Sequence, residues 1–296
     1  MSTYAGPEDM ARELSSQPDI WRQAAAMLPA DGLPERGAKV AVVGCGTSWF
    51  MAQSYAALRE SRGFGVTDAF VASEAPLDRE YDLVVGISRS GTTTEVIELF
   101  DDVRGRIPTL GIVGNPDSPL AADSDSAVVL PFADENSVVQ TRFATGALAL
   151  LRASLGDDLS AAIADAENVL ERDVPDELVD AEQFTFLGRG WTIGLANEAA
   201  LKMRESSQSW TESYPAMDYR HGPISIAQPG RVTWMIGEDV QGLAADIERT
   251  GALYVREPVD PMAALVRIHM VALARARARG LNADAPRGLT RSVILK

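Results

Sequence analysis

Two short polar turns are placed where the chain could hold an anion. Gly44-Cys45-Gly46-Thr47-Ser48 and Ser88-Arg89-Ser90-Gly91-Thr92-Thr93 each follow a β-branched run and precede a helix-forming stretch. At such a junction backbone N–H groups and the positive helix end favour an anion, and the hydroxyls add donors. A phosphate ester suits both turns, and so does plain helix capping, which prefers the same residue types. A dinucleotide fingerprint is broken in the first turn, because Trp49 stands at the third glycine of G-x-G-x-x-G. Gly86-Ile-Ser88-Arg-Ser90 departs from a G-x-S-x-G nucleophile elbow at its last position, which disfavours a hydrolase, and no Walker A pattern occurs.

Proton chemistry would come from a different segment. Helical spacing in Asn197–Glu205 puts Glu198, Lys202 and Glu205 on one face. A carboxylate and an ammonium group sharing a cleft could take a proton beside a carbonyl and stabilise the charge that forms. The same spacing equally suits a solvated face of ion pairs. Of two histidines in the chain, His269 falls in an Ala- and Leu-rich stretch, where a packing or surface role is expected. His221 lies on a loop, Asp218-Tyr-Arg-His-Gly-Pro223, and its residue type can move protons near neutral pH. Cys45 is the single cysteine, so an internal disulfide is excluded, and no Cys/His cluster suggests a metal site.

These groups need a scaffold, and the hydrophobic pattern supplies one. Lys39–Val43, Tyr81–Ile87, Pro108–Val113 and Ala127–Leu130 read as buried strands, with helices expected from about Ser48 to Arg59 and over Thr93–Val103. Strands alternating with helices imply a parallel sheet. Residues 139–172 favour helix, and Pro175 with the acidic stretch to Glu182 marks a boundary. The pattern then restarts with Phe184–Gly190, a helix over Thr192–Ser209, strands near Val232–Ile236 and Ala252–Val255, and a helix over Met262–Arg279. Gly188-x-Gly190 repeats Gly44-x-Gly46 about half a chain later, as a duplication would. The expected organisation is an N-terminal helix over 1–20, a first subdomain over 21–174, and a second over 175–296 that includes the C-terminal tail.

With 296 residues, 46% hydrophobic and 23% charged, the chain has the composition of a globular protein of about two domains. Its net charge of −15 argues against nucleic acid or an anionic membrane as partner. The uncharged run Val40–Leu58 carries glycines and hydroxyls and reads as strand, turn and helix instead of a membrane span. The first ten residues lack the apolar core of a signal peptide, so a cytoplasmic protein is expected.

Taken together these segments resemble the sugar isomerase (SIS) family, particularly the isomerase half of glucosamine-6-phosphate synthase and its stand-alone relatives. The resemblance runs through Met10–Pro18, Gly44–Ser48, Ser88–Thr93, Thr109–Ile112, Glu135–Arg142, Phe186–Gly190, Glu198–Glu205, Arg220–Pro223 and Pro286–Val293. It implies an α/β fold of two SIS subdomains, each a parallel-sheet, three-layer αβα sandwich of flavodoxin-like type. Thr47, Ser48, Ser88, Ser90 and Thr93 would hold the sugar phosphate, with Arg89 contributing main-chain contacts, and Gly46, Val138 and Gln140 would line the sugar. Glu205 would be the base that moves a proton between C1 and C2, with Lys202 stabilising the enediolate or serving the ring oxygen. His221 would open the ring from the neighbouring subunit, which implies a homodimer sharing its active site. No metal and no organic cofactor is expected.

Arg291 occupies the position of the family's tail lysine and joins Glu205, His221 and Lys202 among the catalytic candidates. Because arginine stays protonated, it cannot form an imine with a ketose. No glutaminase domain with its nucleophilic cysteine precedes the pair, so glutamine-dependent amination is not expected. Three functions follow. The first is an isomerase or isomerising deaminase of an aminosugar 6-phosphate such as glucosamine 6-phosphate. The second is a lyase or dehydratase eliminating across an N-acetylhexosamine 6-phosphate. The third is a sugar-phosphate-binding module without catalysis.

Overall fold

A computed structural model describes residues 8–295. Helices α1 (Asp9–Ser15) and α2 (Gln17–Ala26) come first. They lead into β1 (Val40–Gly44), α3 (Thr47–Ser61), β2 (Thr67–Val71), β3 (Leu83–Ser88), α4 (Thr94–Val103), β4 (Thr109–Val113), α5 (Pro119–Asp123) and β5 (Ser126–Val129). Helices α6 (Arg142–Ser154), α7 (Ser160–Leu170) and α8 (Asp176–Asp180) intervene. The chain continues as β6 (Gln183–Gly188), α9 (Thr192–Ser207), β7 (Thr211–Pro215), β8 (Arg231–Met235), α10 (Leu243–Glu248), β9 (Leu253–Arg256) and α11 (Pro261–Ala278).

The first sheet has five strands in the order β2-β1-β3-β4-β5, all parallel. β1 and β4 are buried along their whole length, as β-branched runs covered on both faces must be. One face packs Val84, Val96, Leu99, Phe100 and Val103 into a core with Leu120. Gly86 makes room there, since a Cβ on it would stand 2.7 Å from the Phe100 ring. α3 and α6 pack together in the same unit, and Trp21 Nε1 donates to Thr145 Oγ1 (2.9 Å).

The second sheet has four parallel strands in the order β7-β6-β8-β9. Its strand order repeats the first four positions of the other sheet, so the duplication read from the glycine turns extends to topology. Phe184 and Phe186 stack at 5.9 Å, and the Arg275 guanidinium lies 4.7 Å over the Phe184 ring. α7, α9 and α11 pack as the helical layer of this unit.

Two strands, β2 and β7, went unpredicted, and both are edge strands. Thr67–Val71 and Thr211–Pro215 are mostly half-buried and mix polar with apolar residues, so neither shows a buried run. The compact units also part at places other than residue 174. Among the described residues, one comprises the first sheet with Asp19–Asn136, Gln140–Leu159 and the tail over 290–295; the other comprises 8–18, Ser137–Val139 and Ser160–Leu289. α7 goes with the second sheet because it packs on α11, whose Arg267 Nη1 donates to Arg172 O (3.0 Å). The tail goes with the first sheet because Thr94 N donates to Val293 O (3.2 Å) and Arg89 Nη2 to Arg291 O (2.8 Å). No helix among the described residues is long and apolar enough to cross a membrane.

Candidate functional site

The two hydroxyl-rich turns leave the carboxyl ends of β1 and β3, which are adjacent parallel strands. The connection from β1 runs to β2 on one side, while β3 lies on the other, so the turns flank the point where strand order reverses. In open parallel sheets the crevice at that point is where ligands bind. The local chain is built for close approach. A Cβ on Gly44 would lie 2.8 Å from both the carbonyl carbon and Cβ of Ser48, so only glycine lets α3 start against the strand end. Gly46 precedes α3 with φ 54° and has no side chain to cap it. Thr47 and Ser48 are buried in the first turn of α3.

In the second turn the hydroxyls serve the loop instead of the helix end. Ser88 Oγ accepts from Gly91 N (3.1 Å), Ser90 Oγ accepts from Thr92 N (3.2 Å), and Thr93, although it precedes α4, makes no side-chain cap. Gly91, at φ 63°, sits so close to Ser118 that a Cβ would meet its Oγ at 2.1 Å. Ser292 of the tail receives hydrogen bonds from Ser90 Oγ (3.2 Å) and Thr92 Oγ1 (3.0 Å). The Arg89 side chain is buried and ties the turn to the tail, with Glu135 3.9 Å away. Glu135, which sequence reasoning left out of the site, accepts from Thr141 N (2.6 Å), Thr141 Oγ1 (2.8 Å) and Arg142 N (2.9 Å). Its place in the Glu135–Arg142 motif was the available signal. Arg291 is held by Asp134 (2.5 Å) and the Glu135 carbonyl. Gln140 Oε1 is buried without a hydrogen-bonding partner among the described residues.

Glu205, Lys202, His221 and Val138 belong to the unit of the second sheet. α9 is a sixteen-residue helix rich in Ala, Leu and Glu, ended by Gln208 in the left-handed conformation (φ 51°). It carries Lys202 Nζ to 3.3 Å from Glu198 Oε1 and 2.9 Å from Glu205 Oε2. Lys202 and Glu198 are fully buried, so this face is not the solvated ladder that its spacing also allowed. Glu205 retains 19% side-chain exposure and opens on a cleft of about 520 Å³, where Arg204 and Arg287 also stand.

The structure brings Lys202 and Glu205 together and leaves His221 elsewhere on this unit's surface. His221 ends the 3-10 turn Asp218–His221, is exposed, and has no side-chain hydrogen bond or ion pair among the described residues. Val138 N donates to Asp284 O (2.8 Å). His269 is buried, as a packing role requires, and burial together with the Lys202 charge holds its imidazole well below the usual value, hence neutral. Beside the first turn, burial and the Glu95 carboxylate push the Cys45 thiol up to about 11.

Glycine turns at the switch point of a parallel sheet place the first sheet among the doubly wound α/β folds. Residues 35–154 match the model of the SIS domain family. The chain is similar to the isomerising glutamine–fructose-6-phosphate aminotransferase of Synechocystis sp., with 27% identity covering 87% of this chain and 51% of that protein. It thus spans about half the length of the curated relatives it matches. Glucosamine-6-phosphate deaminase of Thermotoga maritima superposes with a TM-score of 0.84 at 25% identity, covering 97% of this chain and 100% of that one. The C-terminal domain of glucosamine-fructose-6-phosphate aminotransferase from Francisella tularensis shares the fold, with a TM-score of 0.78 at 20% identity and coverage of 97% and 100%.

Proposed function

We propose that this protein moves a proton between C1 and C2 of an aminosugar 6-phosphate, as an isomerase or isomerising deaminase. The observation that carries the reading is the wholly buried Lys202 ammonium bound at 2.9 Å to Glu205, a carboxylate that reaches a cleft. The phosphate binds at the turns formed by Gly46, Thr47 and Ser48 and by Ser88 to Thr93. Glu205 takes the C2 proton of the open-chain aldehyde, and Lys202 stabilises the oxyanion that forms at O1. Returning the proton to C1 leaves an imine at C2, and water then releases ammonia and the ketose phosphate. His221, which is exposed, opens the ring of substrate bound to the other subunit of a homodimer. Val138 and Gln140 line the sugar. Arg291, held by Asp134 and the Glu135 carbonyl, orders the tail and forms no imine. Similarity to the Thermotoga maritima deaminase supports the aminosugar substrate.

Proton NMR in D2O tests the reading with glucosamine 6-phosphate, N-acetylglucosamine 6-phosphate and fructose 6-phosphate in separate tubes. Loss of the C2 proton signal with ammonia release from the free amine is expected, and Glu205→Gln abolishes both. A vinyl proton from the acetylated sugar would replace the reading by a dehydratase. Tight binding with no exchange in any tube would replace it by a binding module.

A further inference from the structure

The glycine turn of the second sheet has the backbone of the first and different side chains. Gly46 and Gly190 share the left-handed conformation, at φ 54° and 56°, and Gly44 and Gly188 each let a helix start against a strand end. β6 lies between β7 and β8, so the chain leaves Gly188 at a second point where strand order reverses. A cavity of about 640 Å³ opens there, bordered by Arg189 and Trp191 after β6, Gly237 and Glu238 after β8, and Arg256 at the end of β9. That volume suits a small ligand, and ligands of open parallel sheets bind in this crevice. At corresponding positions of the two turns, Arg189 stands where the first has Cys45, and Trp191 where it has Thr47.

The side chains define the ligand. Arg256 Nε donates to the Gly237 carbonyl (2.8 Å), which anchors its guanidinium at the crevice and leaves its terminal nitrogens without a hydrogen bond or ion pair among the described residues. The exposed Arg189 guanidinium makes none among them either. The backbone of the turn is already engaged: Arg189 N donates to Thr192 Oγ1 (2.8 Å), Thr192 N to Arg189 O (3.2 Å) and Ile193 N to Gly190 O (3.2 Å). Recognition therefore falls on the side chains. Two guanidiniums suit a phosphate, the half-buried Trp191 indole suits a planar ring, and the exposed Glu238 carboxylate accepts from hydroxyls. We propose that this crevice binds a mononucleotide, with its phosphate on Arg189 and Arg256, its base on Trp191 and its ribose hydroxyls on Glu238. An acidic side chain beside the crevice is the ribose partner that dinucleotide-binding sheets also use. The paired guanidiniums set the local field whatever the net charge of −15.

Equilibrium dialysis of the full chain against labelled AMP, adenosine and inorganic phosphate, each alone, tests this without any need for turnover. We expect AMP to saturate at one per chain and to bind at least about tenfold more tightly than adenosine or phosphate, since each of those supplies only part of the contacts. Trp191→Ala weakens AMP about tenfold, the loss of one base–aromatic stack. The double variant Arg189→Ala, Arg256→Ala weakens it at least as much and flattens its dependence on salt. Both arginines are exposed, so the double variant decides the matter even where Trp191→Ala fails to fold. Saturating glucosamine 6-phosphate and the variant Ser90→Ala both leave AMP binding unchanged. AMP binding that survives the double arginine variant, or that glucosamine 6-phosphate or Ser90→Ala abolishes, belongs to another site and overturns the proposal. Phosphate binding as tightly as AMP overturns the nucleotide assignment, and so does the absence of AMP binding at about 1 mM.

Discussion

A buried neutral histidine makes folding sensitive to acid, and His269 offers a clean case. Burial and the Lys202 ammonium hold the folded-state imidazole well below its usual 6.5. In the unfolded chain it takes up a proton as the pH falls below 6.5, and in the folded chain it does not. The unfolded state therefore binds more protons, and stability drops on acidification with a limiting slope of about 1.4 kcal/mol per pH unit. While His269 stays neutral in the fold, it removes about 0.7 kcal/mol between pH 7 and 6 and about 2 kcal/mol between pH 7 and 5. The assay is urea unfolding of wild type and His269→Gln at pH 7, 6 and 5, at one ionic strength, following the midpoint at constant m value. Carboxylates titrate in both proteins and cancel in the difference. The stability of the variant relative to wild type should rise by these amounts as the pH falls. Parallel curves between pH 7 and 5 would refute the reasoning, because they would mean that His269 accepts a proton in the folded state.

The glycine turns and the cysteine give further expected outcomes. A Cβ on Gly188 would stand 2.2 Å from the Thr192 carbonyl oxygen, against 2.8 Å for the nearest atom at Gly44. Gly188→Ala should therefore cost about 3 kcal/mol or more in urea unfolding and Gly44→Ala about 1–3 kcal/mol, and the reverse order would contradict the geometry. Cys45, with its thiol pushed from 9.0 to about 11, should react with iodoacetamide at pH 7.5 roughly 100-fold more slowly than a free thiol peptide and normally once denatured. Equal rates in the native protein would show an ordinary thiol.

The central strands were legible because burial on both faces demands near-continuous apolar runs rich in β-branched residues, as in Val40–Gly44 and Thr109–Val113. β2 and β7 were not, since Thr67–Val71 and Thr211–Pro215 mix polar with apolar residues, whereas the other two edge strands, β5 and β9, overlap the apolar runs Ala127–Leu130 and Ala252–Val255. The division into units was equally hidden. It depends on α7 meeting α11 and on Ser292 and Val293 bonding to the Ser90–Thr94 turn, contacts spanning about 90 to 200 residues. Of the candidate site, both turns announced themselves by glycine and hydroxyl spacing. Lys202 and Glu205 announced themselves by helical period, but period alone carries no information about burial, which the packing of α11 on α9 decides.

That burial is the strongest physical ground for reading α9 as functional. Taking Lys202 and Glu198 out of water costs several kcal/mol per charge, and a pair of apolar side chains of similar volume would commonly give a more stable helix packing. An exposed ladder at the same spacing would avoid the cost. A chain that keeps a charged lysine inside and supplies it with two carboxylates on one helix departs from its own stability optimum. The turns of the first sheet show the same economy of purpose. There the hydroxyls of Ser88 and Ser90 hold the loop in shape, while neither α3 nor α4 receives a side-chain cap. Capping alone would have placed those hydroxyls on the helix amides, and an anion site requires that they not be placed there.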